Sequence, residues 1–204
     1  VVKVRNDVTS GKGLYAYTHR FGGLYRRVEL EATSSPSIDY AYVRPDFDKS
    51  LARVCVTLRK TGSRKREAAT LAVKIVDPAG KVVAEREKKI SLTAVATDVV
   101  EDIPVPNPRH WTPETPHLYT AQMVLSAGGK DIDDWNERFG IRKIEVRQAH
   151  FYLNNYRYFF RGYGDNCLYP ITLSPPASRD EYRKNLKMAR AFGFNYSRFH
   201  THCP

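Results

Sequence analysis

The sequence predicts a mainly β protein: an antiparallel β-sandwich followed by the first strand–helix–strand unit of a parallel α/β domain. Three observations point there. Up to about residue 147, short alternating apolar runs are separated by turn residues, with hardly any helical periodicity. Beyond Gly140, one capped helical pattern stands between two apolar strand-like runs. A chain of 204 residues with 42% hydrophobic content is also long enough for one good core or two smaller ones.

Ile38 to Val43 and Ala52 to Leu58 open the strand series. Leu71, Val73 and Ile75 alternate with Ala72 and Lys74, and Asp77-Pro78-Ala79-Gly80 then turns the chain into Val82-Val83-Ala84, a hairpin signal. Val95 to Ile103 and His117 to Leu125 follow, while Pro104, Pro106 and Pro108 keep one connection out of any ladder. The expected core includes Cys55, Val73, Ile75, Tyr119 and Met123. Phe151-Tyr152-Leu153 and Tyr158-Phe159-Phe160 flank Asn154-Asn155, and asparagine tolerates the positive φ of a tight hairpin. Arg161-Gly162-Tyr163-Gly164 then leaves a strand for a loop containing Pro170, Pro175 and Pro176. Ser178 with Glu181 forms a capping box; Tyr182, Leu186, Ala189 and Phe192 follow at helical spacing, and Gly193 suits the C-terminal cap. Phe194 to Phe199 reads as a strand again, which opens a parallel α/β domain.

Thirty-three Lys plus Arg against 22 Asp plus Glu give a net charge of +11, which raises the question of a polyanion partner. The densest basic stretch, Lys60 to Arg66, carries turn residues, and Glu85-Arg86-Glu87-Lys88-Lys89 mixes both signs. Both read as solvated loops, so no nucleic-acid partner is expected. No apolar run approaches the roughly 20 residues a bilayer requires, so no membrane is expected either. Cys55, Cys167 and Cys203 are too few for a disulfide framework, and Cys55 in Val54-Cys55-Val56 reads as a small core residue. The chain begins on the strand-like Val1-Val2-Lys3-Val4-Arg5 with no leader ahead of it, which reads as a cut end and leaves the compartment open.

Five segments resemble the family 2 glycoside hydrolases, in that family's order and over nearly the whole chain. Phe21-Gly22-Gly23-Leu24-Tyr25-Arg26-Arg27-Val28 is similar to the end of its sugar-binding jelly roll, and Tyr42-Val43-Arg44-Pro45-Asp46 to the entry of its immunoglobulin-like domain. Trp111-Thr112-Pro113-Glu114-Thr115-Pro116-His117-Leu118-Tyr119 resembles the W-x-P-E-x-P-x-L-Y segment, and Phe139 to Val146 the exit strand. Phe151 to Gly162 resembles the LNG…RG element, while Gly193-Phe194-Asn195 with Arg198, His202 and Pro204 resembles the end of the second barrel strand. Two departures stand out: Asp165-Asn166-Cys167 replaces a frequent histidine, and the tail is one residue longer than the galactosidase form.

The resemblance implies an immunoglobulin-like antiparallel β-sandwich followed by the first βαβ unit of an incomplete (β/α)8 barrel. The domains would be the last jelly-roll strands at 1–35, the sandwich at 36–147 and the barrel start at 148–204. The implied parent hydrolyses terminal β-glycosidic bonds with two carboxyl groups about 5–5.5 Å apart, both on later strands, so the chain alone is expected to be inactive. The implied partner of the parent is a β-glycoside, with homo-oligomerisation left open, and no cofactor is implied. In such barrels the C-terminal strand ends carry the site. That singles out Arg198 to orient the nucleophile, His202 beside His200 to meet sugar hydroxyls, Asp165 and Asn166 in the first loop, and Arg161 to pair with a barrel carboxylate. His200 and His202 on one strand face could hold a metal, but two histidines make only half a tetrahedral site, so none is expected. Up to Val146 the pattern fits a non-catalytic carbohydrate-binding or interaction sandwich equally well.

Overall fold

The structure, a computed structural model, describes residues 14–15, 20–21, 28–62, 66–165, 176 and 178–199. The chain divides into two units, Ala32–Tyr158, and Val1–Glu31 with Phe159–Pro204. The second unit begins with a short antiparallel pair, β1 (Leu14–Tyr15) and β2 (Arg20–Phe21).

Ala32–Tyr158 is built on two antiparallel sheets. One has the order β3-β4-β7, with β3 at Ser37–Asp46, β4 at Leu51–Arg59 and β7 at Ala96–Pro104. The other has the order β6-β5-β8-β9, with β5 at Glu67–Val76, β6 at Val82–Leu92, β8 at Tyr119–Ala127 and β9 at Lys130–Phe139. Alternation explains the packing, because every second side chain of a strand faces the same way. Ala52, Val54, Val56 and Leu58 of β4 face the other sheet's Ala69, Leu71, Val73 and Ile75 from β5 and Ala121, Met123 and Leu125 from β8 in one buried cluster. The expected sandwich and the core positions Val73, Ile75, Tyr119 and Met123 are therefore present. Cys55 is buried as well, as expected; it lies outside the inter-sheet cluster, between Tyr42 and Val100 on the outer face, because a period of two turns it away from Val54 and Val56.

An acidic side chain closes each seam between the sheets. Asp133 of β9 accepts the backbone N–H of Ile38 on β3 at 2.7 Å. Glu101 of β7 pairs with Lys88 and, at 3.9 Å, with Arg86 on β6. The charged run Glu85 to Lys89 thus belongs to an edge strand rather than a loop, since an edge strand tolerates, and is protected by, alternating charge. Strand β9, rich in Asp and Asn, has no counterpart in the sequence-based reading.

A three-stranded meander follows: β10 (Ile144–Arg147), β11 (His150–Leu153) and β12 (Tyr156–Arg157). The hairpin turn is at Asn154-Asn155, with φ of 51 and 71°, as expected. The return strand is shorter than expected and ends before Tyr158. The parallel unit is formed by β13 (Gly162–Asp165), α1 (Arg179–Ala191) and β14 (Tyr196–Phe199), with β13 and β14 paired in parallel. Its first strand therefore lies at Gly162–Asp165, where the sequence suggested the chain was already leaving a strand. Both ends of α1 follow the sequence signals. Ser178 and Glu181 form the capping box, and past Phe192 the Gly193 and Phe194 amides donate to Arg190 and Ala189 carbonyls in a Schellman closure.

The connection from β7 to β8 holds a half-buried histidine. The ring of His117 lies 4.9 Å from that of Tyr119, and its buried Nε2 lacks a hydrogen-bond partner. Burial, and secondarily the Arg109 guanidinium, hold His117 below the usual imidazole range. Neutral imidazole is thus favoured in the folded state. Its contribution is present above the unfolded value of about 6.5 and is lost as pH falls through the lower folded value. Urea unfolding at pH 7.5 and 5.5 should show the wild-type chain losing more stability on acidification than His117→Gln; equal losses would contradict this role.

Candidate functional site

The parallel pair places the residues that the sequence singled out. Register partners in a parallel ladder face the same side, so Gly162 with Tyr196 and Gly164 with Arg198 share one face, and Tyr163 with Ser197 and Asp165 with Phe199 the other. Arg198 is exposed, and no carboxylate pairs with it among the described residues. Gly164 across from it leaves that position open, with nothing within 4 Å of where a Cβ would stand. A Cβ on Gly162 would lie 2.5 Å from Tyr196 Cδ1, so the Tyr196 ring occupies the space a side chain would need. Asp165 ends β13 on the opposite face from Arg198. Asn166, His200 and His202 lie outside the described residues.

Arg161 is bound at the other end of the strand. It stands before β13, and its Nε donates to the Gly193 carbonyl at 2.7 Å. Asn195 completes this link: its Oδ1 accepts the Arg161 amide at 2.7 Å, its Nδ2 donates to the Phe159 carbonyl at 3.0 Å, and its own amide donates to the Arg161 carbonyl. One carboxamide thus replaces a missing stretch of ladder and fixes where β13 begins relative to the turn after α1.

A second asparagine performs the same task in Ala32–Tyr158. Asn154 is 8% exposed; its Oδ1 accepts the Lys143 amide and its Nδ2 donates to the Trp111 carbonyl, both at 2.9 Å. The Asn154 amide donates to the Lys143 carbonyl, and the Trp111 amide to that of Ile141. The Arg142 guanidinium lies 4.5 Å from the centre of the Trp111 ring. A Cβ on Gly140 would come within 2.8 Å of Trp111 Cβ, which is why the residue there has none. Lys143 also pairs with Asp48 at 2.8 Å, and this contact holds its ammonium above the usual lysine range. The sequence reading missed both staples as structural elements. It saw Asn154 only as a turn residue and Asn195 only as part of a motif, because their partners lie up to 43 residues away.

Glu145 and Glu181 are already engaged, each within its own unit. Glu145 contacts Arg147 and lies 3.5 Å from Lys143, and Glu181 belongs to the helix cap. What this face offers chemically is one unpaired guanidinium, a planar fork for a carboxylate.

Comparison with known proteins agrees over most of the chain. The family model described as "Glycosyl hydrolases family 2" matches residues 37–142. A β-galactosidase of Thermoanaerobacter pseudethanolicus is 26% identical over 186 residues, covering 90% of this chain and 24% of that protein. A β-glucuronidase of Bacteroides fragilis is 30% identical over 133 residues, covering 60% of this chain and 19% of that protein. The crystal structure of a family 2 member from Bacteroides cellulosilyticus superposes with a TM-score of 0.81 at 26% identity, covering 98% of this chain and 28% of its own. The chain spans about a quarter of the length of the first curated relatives it matches.

Proposed function

The chain belongs to glycosyl hydrolase family 2, and on that premise we propose that it is part of a retaining β-glycosidase of the β-galactosidase or β-glucuronidase kind. In this reading residues 1–35 end a sugar-binding jelly roll, 36–147 form an immunoglobulin-like sandwich and 148–204 open a (β/α)8 barrel. The β3-β4-β7 and β6-β5-β8-β9 sheets support the sandwich assignment, and the parallel β13–α1–β14 unit supports the barrel opening. The family match over the sandwich, with named relatives that are β-galactosidases and β-glucuronidases, is the observation that carries the proposal.

Chemistry requires a proton donor and a nucleophile about 5–5.5 Å apart, placed here on barrel strands after β14. Arg198 would present its fork to the nucleophile and keep it ionised, with Asn166, His200 and His202 near sugar hydroxyls and Arg161 beside a barrel carboxylate; Asp165, which ends β13 on the other face, would reach a hydroxyl only past the strand end.

Aryl β-galactosides and β-glucuronides assayed with the longer protein and with this chain alone test the reading. Turnover is expected only from the former; turnover by the chain itself, or by neither, overturns it. In the longer protein, Arg198→Lys should lower kcat by about one to two powers of ten, the equivalent of roughly 1.5–3 kcal/mol for one charge-assisted hydrogen bond, and shift the acidic limb of the pH–rate profile upward. Unchanged kcat and an unchanged profile in a folded variant would remove Arg198 from the site.

A further inference from the structure

The sandwich unit carries a second feature suited to a saccharide, separate from the parallel pair. A cleft of about 640 Å³ opens between the β3–β4 turn, the connection from β7 to β8 and the hairpin tip of β11 and β12. One wall is the Phe47 ring with that of His110, their centroids 4.2 Å apart and their planes at 39°. The hairpin tip also lines it, and there Tyr156 stands 80% exposed. An aromatic ring left in water on a two-residue strand gains little for the fold; it provides a flat apolar surface for something else.

Three polar groups beside these rings keep bonding capacity to offer. Glu114 lines the cleft and pairs with no cation among the described residues. Asn155 uses its Oδ1 for Arg147 at 2.8 Å, which leaves its amide N–H groups to donate. The Tyr156 hydroxyl can do either. The floor is rigid because Asn154 bonds the hairpin to Trp111 and Lys143, so the walls keep their spacing without a ligand.

Rings for an apolar face, with an acceptor, a donor and a hydroxyl around them, match a neutral pyranose: its C–H face packs on the rings and its hydroxyls meet the polar groups. We propose that this cleft is an ancillary binding site for a neutral hexose unit of a saccharide. The proposal rests on the carbohydrate reading above and adds a preference: the Glu114 carboxylate repels a second carboxylate, so a uronate should bind less well than an uncharged sugar. A shallow site of this kind implies Kd on the order of 1 mM or weaker.

Titration of the ¹⁵N-labelled 204-residue chain with galactose, glucose and glucuronate, each to roughly fifty times that value, tests this. Galactose or glucose should move the amide signals of His110, Thr112, Glu114, Asn155 and Tyr156 together, and glucuronate should do so at least threefold more weakly. Tyr156→Ala should weaken the neutral sugars at least fivefold. This exposed side chain is not needed for folding, which unchanged core amide shifts will check. Glu114→Gln should narrow the gap between neutral sugar and uronate. The absence of clustered shifts with either neutral sugar, an unaltered affinity in Tyr156→Ala or an unaltered preference in Glu114→Gln would overturn the proposal. None of these results bears on hydrolysis by the longer protein, so the two readings fail separately.

Discussion

Asn154→Ala is expected to destabilise Ala32–Tyr158 by about 3–4 kcal/mol. The substitution removes a part-buried carboxamide and leaves its two partners, the Lys143 amide and the Trp111 carbonyl, unpaired, and each such group costs about 1–3 kcal/mol if water does not reach it. It also puts a Cβ at φ 51° without the local hydrogen bonding that makes asparagine tolerable there, a further ~1 kcal/mol. Two companions separate these causes. Asn154→Gly relieves the backbone and should recover only that last part. Asn154→Asp keeps an acceptor for Lys143 but turns an oxygen toward the Trp111 carbonyl, and should be nearly as damaging as alanine. Both tryptophans of the chain, Trp111 and Trp135, lie in this unit, so their fluorescence during urea unfolding follows it alone. A loss under 1 kcal/mol for Asn154→Ala would show that the staple is ornamental.

Ile75→Ala should cost a similar amount, about 3–5 kcal/mol, whereas Ile75→Val should cost about 0.5–1.5 kcal/mol. Ile75 is fully buried on a central strand, and its cross-strand partners are Ala84 and Ala121, side chains too short to collapse into the space it leaves. The cavity therefore persists, which pushes the cost toward the upper part of the range. Cys55→Ala is the internal contrast: Cys55 is buried but lies outside the inter-sheet cluster, and it should cost clearly less. Equal losses at both positions in the same unfolding measurement would mean that the outer face is packed as tightly as the core.

The two comparisons also mark how far the sequence can be read. Leu71, Val73 and Ile75 announce a strand because burial of one face imposes a period of two, and local sequence records that period. The same rule sets Cys55 on the outer face of its sheet, where it is nonetheless buried. The ends of α1 were legible because a capping box and a Schellman glycine act within a few residues. Strand β9 was not, since Asp131, Asp133, Asp134 and Asn136 argue against a strand locally, and it is held by contacts distant in sequence: pairing with β8, the bond from the Ile38 amide to Asp133 and the packing of Ile132, Trp135 and Phe139 on the core. At the parallel pair, sequence located the motif but not its facing. That Arg198 and Asp165 project to opposite sides depends on where β13 starts, and that start is set by Asn195 across the helix.

The outer strands of the four-stranded sheet bear on how such molecules behave in a crowd. Strands β6 and β9 each leave a row of backbone amides and carbonyls without a neighbour, the surface through which sheets join end to end into fibrils. Both rows are lined with ionic side chains: Glu85, Arg86, Glu87, Lys88 and Lys89 on β6, and Asp131, Asp133, Asp134 and Glu137 on β9. Juxtaposing β9 with the β9 of another copy would bring carboxylates against carboxylates. Replacing those four acidic side chains with neutral ones would remove that guard and leave the β9 row open to pairing with its copy.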